Sequence, residues 1–145
     1  MIQITLTAIV FLFLFIISLI DLRTKRVPAF LTTSIIFAVA LVNMVDLNFG
    51  ILHLAFGVLA FIFAYLIYEL NFIGGVADIK VIVIIGMMIA QLSTFFIFMI
   101  TIMIFGIAYK IVWRYVLKKP EGSEVPFIIS LWAVYCVLWI TGGLI

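Results

Sequence analysis

Long apolar runs alternate with short polar breaks along the whole chain, and the runs cover 4–20, 28–45, 51–68, 79–92, 95–112 and 125–144. A helix rises about 1.5 Å per residue and a bilayer's hydrocarbon core is about 30 Å thick, so a span needs about 20 apolar residues. Five runs come close to that length. The fourth, 79–92, reaches only about 21 Å. Fusing 79–112 into one helix would demand about 51 Å, and Gln91-Leu92-Ser93-Thr94 interrupts the apolar pattern there, so two helices are predicted in place of one.

Composition agrees with a lipid solvent. Hydrophobic residues make up 69% of the 145 and charged residues only 10%, and the mean hydropathy is +1.53, which leaves too little polar surface for a water-soluble shell. The first run has no basic flank before it or small-residue cleavage site after it. It passes directly into Asp21-Leu22-Arg23-Thr24-Lys25-Arg26, which reads as a retained helix and not as a cleaved signal peptide. The lone cysteine, Cys136, allows neither an intrachain disulfide nor a cysteine-based zinc site, and a net charge of +2 is too small to point to nucleic acid as a partner.

Charge placement tests the count of segments independently, because short cytoplasmic loops are enriched in Lys and Arg. Arg23, Lys25 and Arg26 lie in the first connection, Lys80 follows the third, and Lys110, Arg114, Lys118 and Lys119 surround the fifth. The second and fourth connections and both chain ends hold no basic residue. The pattern therefore predicts an all-α integral membrane protein: a single domain over 1–145 with six transmembrane helices and both termini outside. Pro28 suits the first turn of the second helix. Lys110, Arg114 and Lys118 recur every four residues, which extends the fifth helix beyond the membrane with a basic face, and Tyr109, Trp113 and Tyr115 mark the interface there.

Six carboxylates are present: Asp21, Asp46, Glu69, Asp78, Glu121 and Glu124. Asp21 closes the first helix and Asp78 opens the fourth, so the charge map puts both at the cytoplasmic edge, where an ionisable group is costly and a functional candidate. Gly74-Gly75-Val76-Ala77 leads into Asp78, and its small residues let backbone approach a ligand, with Gly74, Gly75 and Ala77 as candidate substrate-binding positions. Two carboxyls that face one another near neutral pH can share one proton, an arrangement able to activate water against a peptide carbonyl without a metal. The plainer readings are that Asp21 pairs with Arg23 and Lys25, and that Asp78 is an N-cap. His53 reads as a packed or interfacial residue near the outer face. Trp132, Tyr135 and Trp139 read as a packing stripe, and Gly86 with Ala90 as a close helix contact.

Asp21 followed by a basic loop containing Pro28, then Gly75-Val76-Ala77-Asp78-Ile79-Lys80, then Val125-Pro126-Phe127, resembles the prepilin and preflagellin peptidase family of membrane aspartic proteases. The resemblance implies an aspartic endopeptidase with Asp21 and Asp78 as its catalytic pair, needing no cofactor or metal. Its partner would be a preprotein with a type IV pilin-like signal, a basic leader ahead of a hydrophobic helix, cut at the cytoplasmic face of the cell membrane. Ala77 stands where many bacterial members carry a second glycine, which leans towards the archaeal type. With no cysteine-rich segment, the resemblance implies peptidase activity without the amino-methylating activity of the bifunctional bacterial enzymes. Glu69, Glu121 and Glu124 have the charge to attract a basic leader. The rival reading from another class is a small transporter or proton-relay subunit that uses Asp21 and Asp78, although such carboxylates belong nearer the midplane. A non-catalytic assembly subunit is a third.

Overall fold

A computed structural model describes residues 2–24, 26–45, 50–70, 73, 75–118, 126–142 and 144. Among them the fold is all helical, with six α-helices: α1 (Ile2–Thr24), α2 (Ala29–Val45), α3 (Gly50–Glu69), α4 (Val76–Gly86), α5 (Leu92–Ile111) and α6 (Ile128–Ile140). Three stretches, Ile4–Thr24, Ile51–Glu69 and Leu92–Val116, are long and apolar enough to cross a membrane, and Ala29–Val45 and Ile128–Ile140 are shorter apolar helices. Their outer surfaces are oily: Phe30, Val45, Ile51 and Ile140 are all at least 77% exposed. In water such a surface would aggregate; in lipid it is solvated.

The shortest helix is the central one. In α4, Val81, Ile82, Ile84 and Ile85 are all fully buried, so most of its surface is covered by protein, while Val76 is exposed and Lys80 and Val83 are only partly buried. Its largest interface is with α3, and α2 flanks it as well. The expected boundaries of 79–92 are corrected here: the helix begins at Val76 and ends at Gly86. Met87 and Met88 turn, residues 89–91 belong to no helix, and Gln91, with an extended backbone, is the N-cap of α5. Two helices do replace one in 79–112, but the break falls at 87–91. Gly86 sits hard against α3, where a Cβ would meet the Ala60 Cβ at 2.5 Å and the Phe56 carbonyl oxygen at 3.1 Å. Ala90, its expected companion, lies beyond the helix.

The remaining helices assemble around α6, which packs on α1 and α5 and touches α4 less extensively. The aromatic stripe on α6 works as packing: the Trp132 and Trp139 rings lie 5.7 and 5.0 Å from Phe11 of α1, and the buried Tyr135 hydroxyl donates to the Thr7 carbonyl at 3.0 Å. Beyond Ile111 the fifth helix widens into a π-turn over Val112–Val116, closed by the Leu117 N–H on the Val112 carbonyl at 3.0 Å. The expected α-helical extension is therefore π-wound, and Lys118 already lies past it at a φ of 50°.

Candidate active site

Hydrogen bonds between helices define the two ends of the bundle. At one end the Ile128 N–H of α6 donates to Asp21 Oδ2 of α1 at 3.2 Å. Phe127, one residue earlier, places its ring 3.0 Å from where a Gly106 Cβ would stand, which brings the last turns of α5 to the same end. Lys80 Nζ of α4 donates to Thr33 Oγ1 at 2.7 Å and to the Ala29 carbonyl at 3.4 Å, joining the start of α4 to the start of α2. At the other end, Asn43 Nδ2 of α2 and His53 Nδ1 of α3 both lie 3.0 Å from the Met87 carbonyl oxygen. Asp21 and Asp78 are at the first end and His53 at the second.

Asp21 does not end its helix; α1 runs one turn further to Thr24. Its side chain is 8% exposed and caps α6 from a different helix, accepting one of the N–H groups that a helix start leaves without an internal partner. The positive end of the α6 dipole faces the same carboxyl group.

Asp78 is 6% exposed and occupies the third position of α4, with Gly75 as the N-cap. The two residues are tied reciprocally: the Gly75 N–H donates to Asp78 Oδ2 at 3.1 Å and the Asp78 N–H to the Gly75 carbonyl at 3.1 Å. Asp78 is thus not the N-cap itself but the acidic partner of the cap. Gly75 has an extended backbone with φ −151°, and a Cβ there would meet Asp78 Oδ2 only at 3.7 Å. Neither conformation nor packing demands glycine at this position. Ala77 is half-buried in the first turn. Gly74, Glu121 and Glu124 lie outside the described residues, and Glu69 is exposed at the end of α3.

The two carboxyl groups are carried by helices that share no substantial interface; each leans on α6. Among the described residues, no three His, Cys, Asp or Glu side chains converge to hold a metal ion. An almost wholly apolar groove of about 610 Å³ opens between α2, α3 and α4, running from Val76, Ile79 and Lys80 towards Met87; Asp78, on the opposite face of α4, is not among the residues that line it.

A sequence profile of the type IV leader peptidase family matches residues 8–111, well over half of the chain. The chain belongs to the type IV leader peptidase family. The match spans both aspartates and α4 whole, and it favours proteolysis of a preprotein over the transporter or proton-relay reading. No curated protein and no solved structure matches the chain. The Asn43, His53 and Met87 cluster carries no motif in the sequence. A signal was available: Asn43 is the one amide side chain inside the second apolar run, and a polar residue in such a run needs a buried partner.

Proposed function

We propose that this protein is an aspartic endopeptidase that removes the basic leader of type IV pilin-like or flagellin-like preproteins, with Asp21 and Asp78 as its catalytic pair. In this reading the chain is one six-span domain with both termini outside, and the cut is made at the cytoplasmic face of the plasma membrane. One observation carries it: two buried carboxyl groups, each accepting a backbone N–H at a helix start, lie at the end of the bundle that also gathers Lys80 and the basic last turn of α5.

The chemistry follows from a pair that shares one proton. The ionised carboxylate takes a proton from water as the water oxygen attacks the scissile carbonyl, and the protonated partner gives its proton to the carbonyl oxygen; the first carboxyl then passes the proton it took from water to the departing amine as the C–N bond breaks, and the collapsing intermediate returns a hydroxyl proton to the partner. The Ile128 N–H fixes the orientation of the Asp21 carboxyl group, and the Gly75 N–H that of Asp78. With one cysteine in 145 residues and no cysteine-rich segment, peptidase activity alone is proposed for this chain. The test is cleavage of candidate preproteins by the protein reconstituted in liposomes. Asp21→Asn and Asp78→Asn each lower the rate by at least about a thousandfold while the protein still inserts. A D78N protein that processes a preprotein at the wild-type rate sinks the pair.

A further inference from the structure

Helix α4 has 11 residues, about 16 Å of rise, and therefore ends well inside a hydrocarbon core of about 30 Å. Its last carbonyls have no intrahelical donor and no water at that depth, so protein groups must satisfy them. Part of this is done by tightening the final turn: the Met88 N–H donates to the Ile85 carbonyl at 2.9 Å and the Ile89 N–H to the Gly86 carbonyl at 3.3 Å. The Met87 carbonyl is different. Two side chains from two other helices converge on it, Asn43 Nδ2 from α2 and His53 Nδ1 from α3, each at 3.0 Å, and the two residues are 5% and 3% exposed. For His53 to donate, the proton must sit on Nδ1.

The same helix is held at its other end by the Lys80 amine on Thr33 and Ala29. Helix α2 therefore grips α4 twice, at Thr33 near the start and at Asn43 near the end, with α2 and α4 running parallel. Between these grips α4 is a largely buried rod, and the Met87 side chain fills the space beside Gly57 where a Cβ would stand. Asp78 is nine residues from Met87, about 14 Å along the axis. A rod of this length carries an axial displacement at Met87 directly to Asp78.

We infer that Asn43 and His53 are positioning residues for Asp78: by holding the Met87 carbonyl they set the axial register of α4 and with it the depth at which Asp78 meets the substrate. This rests on the assignment of Asp78 as catalytic. Neither residue touches the peptide, so their loss lowers turnover without weakening preprotein binding.

The experiment measures kcat and KM for preprotein cleavage by the full chain in liposomes, for wild type, Asn43→Leu, His53→Leu, His53→Asn and the double variant N43L/H53L. Each leucine variant leaves one donor on the carbonyl and is expected to lower kcat about threefold to tenfold with KM unchanged. The double variant, which leaves none, is expected to fall further than the product of the two single losses. Asparagine places an amide N–H where the histidine Nδ1–H stood, so H53N is expected to retain wild-type kcat, a rescue that a purely space-filling role for His53 would not produce. Wild-type kcat in inserted N43L and H53L, or an H53N as impaired as H53L, overturns the inference. If H53L fails to insert, N43L decides, since His53 still caps the carbonyl there. Loss of cleavage in D78N alongside full kcat in N43L would reject the positioning role alone, whereas an active D78N would reject the catalytic assignment itself.

Discussion

Asp78 and Gly75 illustrate how a residue's role is narrowed by its surroundings. Asp78 performs a structural task, because its carboxylate accepts the Gly75 N–H, yet that task alone does not call for the glycine before it. A Cβ at Gly75 would be in ordinary contact and the backbone is extended, so Gly75→Ala is expected to leave the melting temperature within a few degrees of wild type. If Gly75 lines the approach to the scissile peptide, the same variant loses cleavage activity by roughly tenfold or more, which steady-state kinetics beside a thermal melt would separate. Full activity in G75A would remove Gly75 from the substrate-binding set. Asp21 was readable in sequence as a carboxylate at a costly depth. Its partner, the Ile128 N–H, was not, because the two are 107 residues apart and a backbone donor leaves no mark in a sequence.

Among the helices, α4 departs most from its sequence pattern, and the reason is physical. Apolar residues continue through 87–90, so hydropathy alone carries the segment on to residue 92, but Gly86 is wedged against Ala60 and Phe56 and the chain turns immediately after it. A methyl group at this contact overpacks it: Gly86→Ala is expected to cost about 1–3 kcal/mol, seen as a lower unfolding midpoint in detergent. Gly86→Leu should not accumulate as folded protein. The π-turn at Val112–Val116 likewise breaks a four-residue charge spacing that reads as plain α-helix. Helices α2 and α3 end within a residue or two of where the polar breaks put them, because loop polarity and helix end coincide there.

Across the molecule, α2, α3 and α4 pack as one group and α1, α5 and α6 as another, with α4 and α6 in contact between them. Asp21 belongs to one group and Asp78 to the other, so the catalytic geometry proposed here is set by the seam. The proposed topology has a direct check. With Cys136 replaced by Ser, single cysteines at Arg26 and Lys118 are expected to react with an impermeant thiol reagent from the cytoplasmic side only, and one at Val45 from the outer side only. Labelling of positions 26 and 118 from opposite faces would refute six spans.

Sequence alone pointed to a lipid solvent and to six helices, and it predicted one end of the bundle for the basic residues and both aspartates, because hydropathy and charge act residue by residue against a fixed bilayer thickness. Only the tertiary structure decided that the shortest helix is the central one, that α6 carries the backbone donor for Asp21, and that Asn43 and His53 meet on a single carbonyl. Those facts depend on which helices are neighbours. Between lipid-solvated helices of similar hydrophobicity, that choice is made by close-packed shape and by the need to satisfy each buried polar group, which no local pattern records.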